Sequence, residues 1–143
     1  MDFQQARFNM VEQQIRTWEV LDQGVLDALL EVPREQFVPE AYRNLAFSDI
    51  SIPLGMGQSM MPPKVEARML QALNPGPTDR ALEIGTGSGY VTALLARFAR
   101  SVVSVELHAS FTEAAAKRLL ALGVANVALI TADGIGEIGR AHV

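Results

Sequence analysis

Glu83-Ile84-Gly85-Thr86-Gly87-Ser88-Gly89 is the stretch whose residue types and spacing ask most directly for a chemical role. Three glycines at alternate positions let a backbone approach a ligand closely, and a helix opening after them directs its free N–H groups and positive end toward that ligand. A dinucleotide-binding G-x-G-x-x-G would need glycine three positions after Gly87 or Gly89, where Tyr90 and Thr92 stand. Neither register fits. The plain alternative is a strand-to-helix turn, and what favours a ligand is the company the septet keeps. Glu106 ends the run Val102-Val103-Ser104-Val105, about twenty residues past the loop, where a carboxylate can accept hydrogen bonds from both hydroxyls of a ribose. Asp133 follows a further apolar run, Val127–Ile130, and should reach the same crevice near an adenine amino group, with Gly134 allowing close backbone approach. Asp-Gly is also a common turn pair. The candidates for ligand binding are therefore Glu83, Gly85, Thr86, Gly87, Gly89, Glu106, Asp133 and Gly134.

The elements that must position them follow from the pattern around them. Asn74-Pro75-Gly76-Pro77 is a breaker cluster, and after it short apolar runs alternate with helical stretches. The reading is a strand at Ala81–Ile84, a helix at Tyr90–Phe98, a strand at Val102–Val105, a helix at about Ser110–Leu122 and a strand at Val127–Ile130. This alternation is the first half of a doubly wound α/β sheet, in which ligands bind outside the carboxyl ends of the strands. The N-terminal half reads as helix and loop. Phe8, Val11 and Ile15 recur at helical spacing, Asp22 can cap a helix carrying Val25, Leu26, Leu29 and Leu30, and Pro33 to Pro39 is a turn. Phe47 to Met61 reads as irregular, until Pro62 and Pro63 open a helix that should bury Val65, Met69, Leu70 and Leu73.

The 143 residues suit one compact unit, organised as a helical and loop region at 1–77 and an α/β region at 78–143. Apolar residues at 49% and charged residues at 20% are ordinary for a globular protein. A net charge of −4 with scattered Lys and Arg offers no basic patch for phosphates, so nucleic acid is not an expected partner. With no cysteine and only His108 and His142, no metal site is expected. No run of about 18 apolar residues occurs and no basic start precedes an apolar run, so the expectation is a soluble, cytoplasmic protein with no membrane partner. Trp18 reads as packing.

In its acidic residue before the first glycine, E-x-G-x-G-x-G looks like motif I of the class I methyltransferases, which places Glu83 near the cationic methionyl end of S-adenosylmethionine. The N-terminal half makes the resemblance specific. Arg7 to Gln14, Val25 to Leu29, Val32-Pro33-Arg34-Glu35-Gln36-Phe37-Val38-Pro39, Ala46 to Asp49, Ile52-Pro53-Leu54-Gly55-Met56-Gly57-Gln58 and Leu82 to Tyr90 resemble, in order and spacing, the protein-L-isoaspartate O-methyltransferase family. The resemblance implies a Rossmann-like fold with only its first half-sheet present, S-adenosylmethionine as cofactor (S-adenosylhomocysteine as product), and methylation of isoaspartyl carboxylates in damaged proteins and peptides.

It also implies a catalytic segment. The family's Thr-Ile-Ser-x-Pro after Gly-Gln corresponds here to Ser59-Met60-Met61-Pro62-Pro63, so Ser59 keeps a hydroxyl, whereas Met61 stands where the family has Ser and cannot donate a hydrogen bond. The Met pair also suits gap-filling in a core. Alternatives of another class remain: a non-catalytic or truncated cofactor-binding module, or a methyltransferase that has drifted to another carboxylate substrate. The family's sheet continues past three strands. With only its first half present, the first strand would show an open edge through which the chain could self-associate.

Overall fold

The computed structural model describes residues 1–132. The chain divides into two compact units, Met1–Asn74 and Pro75–Val143, where its length suggested one. No helix among the described residues is long and apolar enough to cross a membrane.

In the first unit Asp2 caps α1 (Phe3–Met10) by accepting the Gln5 N–H at 3.1 Å. The helix widens into a π turn at Val11–Ile15, tightens at Arg16–Trp18, and stops where Glu19 turns left-handed at φ 62°. Because the π turn shifts the helical phase, Met10, Val11 and Ile15 face the core while Phe8 stays 52% exposed, against the simple periodic expectation. Asp22 caps α2 (Gln23–Glu31), its Oδ1 accepting the Val25 N–H at 3.0 Å. This helix buries Val25, Leu26, Ala28 and Leu29, with Leu30 on its rim. Short 3-10 turns follow at Arg34–Phe37 and Glu40–Leu45, and Phe37 and Val38 are fully buried.

The stretch expected to be irregular contains a hairpin. β1 (Ile52–Gly55) pairs antiparallel with β2 (Gln58–Met60), Ile52 opposite Met60 and Pro53 opposite Ser59. Ile52 and Met60 are both buried, so one cross-strand pair supplies the apolar face. The turn needs positive φ at Gly55, Met56 and Gly57 in succession, and glycine at two of the three relieves most of the strain. α3 (Pro63–Leu73) starts with proline in its first turn and ends at Asn74, which is left-handed at φ 49°. Its buried face is Pro63, Glu66, Ala67 and Leu70; Met69 and Leu73, expected inside, are exposed. The face turns because Glu66 goes inward to a charge.

That charge is Arg34, a wholly buried arginine. Its Nε donates to the Ala46 carbonyl at 2.7 Å, its Nη2 to the Met61 carbonyl at 3.0 Å, and its Nη1 to the Glu66 carboxylate. A guanidinium fits this duty because it offers donors in a fixed plane to several acceptors at once. Beside it Arg7 Nη2 grips both oxygens of Glu35 at 2.6 and 2.7 Å. The Pro-Arg-Glu-x-Phe-Val-Pro segment is thus an internal clamp of the first unit.

The second unit is a parallel sheet in the order β3-β4-β5, from β3 (Arg80–Ile84), β4 (Ser101–Glu106) and β5 (Val127–Thr131). α4 (Tyr90–Phe98) and α5 (Ala109–Ala121) form the crossovers. The register aligns Ile84 with Val105 and Glu106 with Thr131, which brings the carboxyl ends of the strands to one edge of the sheet. β4 is the buried centre, with Val102, Ser104, Val105 and Glu106 all inside. Asn126 secures the entry to β5, its Nδ2 reaching the carbonyls of Ala96 and Ala99 at 2.9 and 3.2 Å.

Candidate functional site

The septet leaves β3 at Ile84 and enters α4 at Tyr90, as the strand–loop–helix context requires. All three of its glycines adopt positive φ: 92° at Gly85, 55° at Gly87 and 91° at Gly89. Among the described residues, no atom beyond Gly85's own chain neighbours lies within 4 Å of where a side chain would begin there, so at this position a ligand can approach the backbone closely. The loop is held from below. The Gly85 N–H donates to the Val105 carbonyl at 2.7 Å and the Gly89 N–H to the Thr86 carbonyl at 2.9 Å. The Ser88 carbonyl receives Arg118 Nη1 of α5 at 2.9 Å.

Glu106 lies at the end of β4, only 6% exposed, and ties two segments together. Its Oε1 accepts the Gly87 N–H at 2.8 Å and its Oε2 the His108 N–H at 2.9 Å. An ionised carboxylate has about four lone-pair sites, so these bonds leave acceptor capacity for ligand hydroxyls. His108 supplies backbone here; its ring packs edge-on against Phe111 at 5.3 Å.

Glu83 is half-buried on β3, and its Oε1 collects hydroxyl donors from two neighbours, Thr92 of α4 and Ser104 of β4, the latter at 2.6 Å. The Thr86 hydroxyl sits 2.6 Å from the Ser104 oxygen. Ser104 has a single hydroxyl hydrogen and gives it to the carboxylate, so Thr86 is the donor in that contact. The side chain of Thr86 therefore turns inward, and the backbone is what the loop offers outward. Ser104 and Thr92 are wholly buried and Thr86 nearly so.

Glu83, Gly85, Thr86, Gly87, Gly89 and Glu106 are thus gathered at the carboxyl ends of two adjacent strands. Asp133 and Gly134 lie outside the described residues. Ser59 and Met61 belong to the first unit. Ser59 is exposed on β2, and Met61 follows it with 37% exposure and its carbonyl on Arg34. The Met pair splits: Met60 is core, Met61 is not. Trp18, read as packing, is 41% exposed with Lys64 Nζ stacked 4.2 Å over its ring. Among the described residues no three His, Cys, Asp or Glu side chains group in a way that could hold a metal ion.

Sequence reasoning passed over Ser104, Thr92 and Arg118. Ser104 did carry a signal, a lone hydroxyl inside a run of valines at the position paired with Glu83.

A parallel half-sheet with this loop, and with a carboxylate at each of two neighbouring strand ends, is the nucleotide-side half of a Rossmann-like class I methyltransferase fold. A sequence profile described as protein-L-isoaspartate(D-aspartate) O-methyltransferase matches residues 5–140, and the chain belongs to that family. It is similar to a protein-L-isoaspartate O-methyltransferase of Methylorubrum extorquens, 45% identical over 93% of this chain and 58% of the relative. It is also similar to one of Roseiflexus sp., 41% identical over 94% of this chain and 61% of the relative. The chain therefore spans about three-fifths of the length of these curated relatives. Among solved structures, a protein-L-isoaspartate O-methyltransferase superposes with a TM-score of 0.77 at 28% identity, over 90% of this chain and 42% of that one. A protein from Plasmodium falciparum, described as a complex with S-adenosyl-L-homocysteine, shares the fold at a TM-score of 0.74 and 19% identity over 93% of this chain and 64% of that one.

Proposed function

We propose that the chain binds S-adenosylmethionine at the Gly85–Gly89 loop, and that the whole protein methylates the carboxylates of isoaspartyl residues in damaged proteins. The observation that carries the first part is the arrangement of groups: Glu83 beside an alternate-glycine loop that is open at Gly85, with Glu106 at the neighbouring strand end. In this reading Glu83 faces the cationic methionyl end, Glu106 receives the ribose hydroxyls, and Asp133 with Gly134 meets the adenine. The bound cofactor supplies an electrophilic methyl group on sulfonium sulfur.

The chain's own share of the reaction is light on proton chemistry. A substrate carboxylate is ionised at neutral pH, so the protein has only to align it with the methyl, remove its water and hold it. Family membership supports Ser59 and Met61 as the segment that meets this carboxylate. Met61, a thioether where the family has a hydroxyl, favours a second reading: a cofactor-binding chain with weak or redirected transferase activity. A cytoplasmic place of action belongs to the same proposal.

Calorimetric titration of the 143-residue chain with S-adenosylhomocysteine and with a nicotinamide dinucleotide tests the cofactor. Binding of the first alone is expected, and binding of the dinucleotide alone would overturn the proposal. An isoaspartyl peptide assay separates the two readings, since robust methyl transfer by the unaltered chain would retire the second.

A further inference from the structure

We propose that Ser104 is a positioning residue of the cofactor site, orienting the Glu83 carboxylate toward the methionyl end of the ligand. The proposal rests on the cofactor reading above. Ser104 lies in mid-β4, directly opposite Glu83 in the parallel register, and is wholly buried. Its side chain touches both the carboxylate and the loop of the candidate site. Its hydroxyl donates to Glu83 Oε1 at 2.6 Å and accepts from the loop residue Thr86 at 2.6 Å. A valine would suit this buried position better for packing alone, as Val102, two residues earlier on the same face of the strand, does. A buried hydroxyl needs partners, and here it has them in this relay.

The chain of donors runs in one direction, Thr86 to Ser104 to Glu83, because a carboxylate only accepts. Thr92 donates to the same oxygen from α4. Two donors on one oxygen fix the carboxylate's rotation about its last torsion, so the charge stands in one place before any ligand arrives. Preorganised charge of this kind raises affinity by lowering the ordering cost of binding. The effect is local to the ligand group that Glu83 meets. Glu106, tied to Gly87 and His108, is outside the relay.

This locality supplies the test. S-adenosylhomocysteine and 5′-methylthioadenosine share the nucleoside and differ in the amino-acid end. Titrating both into the wild-type chain and Ser104→Ala should show S-adenosylhomocysteine weakened about three- to tenfold, the effect of one hydrogen bond, with 5′-methylthioadenosine unchanged. Ser104→Thr, which keeps the hydroxyl, should restore the wild-type ratio. Thermal melts establish that each variant is folded, and if the alanine chain is not, Ser104→Cys, isosteric with a much weaker donor, reads the same ratio. Equal weakening of both ligands, or of neither, overturns the proposal and leaves the cofactor reading intact. Failure of the wild-type chain to bind either ligand overturns both.

Discussion

Glu106 does two jobs with one carboxylate, and they can be separated by measurement. In the structure it caps the N–H groups of Gly87 and His108; in the proposed complex it also accepts ribose hydroxyls. Hydrogen bonds to a charged group contribute about 1.5–3 kcal/mol, so Glu106→Ala should weaken S-adenosylhomocysteine about tenfold or more by calorimetry, and 5′-methylthioadenosine to a similar degree. Affinity equal to wild type would remove Glu106 from the site. The Arg34–Glu66 pair makes a second prediction. Burial pushes the Glu66 carboxyl above its ordinary value of 4.5, with the Arg34 guanidinium pulling the other way. Between that ordinary value and the raised one, the folded chain holds a proton that the unfolded chain has released. Stability from this group therefore falls as pH rises through that window. Glu66→Gln still offers Arg34 a carbonyl and has nothing to titrate, so its urea midpoint should lack this slope. Parallel midpoint profiles for the two chains would show that Glu66 titrates normally. Glu66→Leu, by contrast, takes the counter-charge from the buried Arg34 and should cost about 3–5 kcal/mol.

Elements were legible where apolar period and punctuation agree. The predicted helix Tyr90–Phe98 has the observed bounds, and each parallel strand was placed with its ends one residue short at most of those observed: Gly85 ends the first strand, Gly89 precedes the helix and Asn126 precedes the last strand, while the middle strand stands out by its valines alone. The hairpin was not legible. Its glycines and prolines read as loop signals, and its apolar face is a single cross-strand pair, Ile52 with Met60, too little to register as alternation. The buried face of α3 was misjudged for a related reason: periodicity counts Met69 and Leu73 as core and Glu66 as surface, and only the distant Arg34 reverses this. At the site, the glycines and Glu106 could be read from spacing, whereas Ser104 gains meaning only from the register that sets it against Glu83. The Asp22 cap was read directly and can be tested in isolation. Asp22→Ala removes the bond to the Val25 N–H but keeps its own N–H on Gln71 Oε1, so the loss is the cap alone. A cost of about 0.5–2 kcal/mol is expected, seen as a melting point lower by about 2–8 °C; an unchanged melt would mean that packing alone holds the start of α2.

At the scale of the whole molecule, the consequence lies on the outer edge of β3. Among the described residues this strand pairs with β4 only, and the N–H and C=O groups along its other edge have no strand beside them. Its side chains do not suit solvent. Leu82 is 52% and Ile84 57% exposed, and Ile130 on β5 is 40% exposed. Natural sheets protect an edge with charge, proline or a bulge, and the charges of β3 are Arg80 at its start and Glu83, whose carboxylate is bonded to Thr92 and Ser104. An unprotected apolar edge is a template for another strand of like character. We propose that the 143-residue chain associates with itself through this edge. Light scattering across a dilution series should give a mass that rises above the monomer with concentration. Leu82→Lys, which places a charge on the edge without touching the glycine loop, should shift the chain toward monomer while S-adenosylhomocysteine binding persists. A monomer at every concentration, with a cooperative melt, would overturn the proposal and show that β3 tolerates its exposed leucine and isoleucine in water.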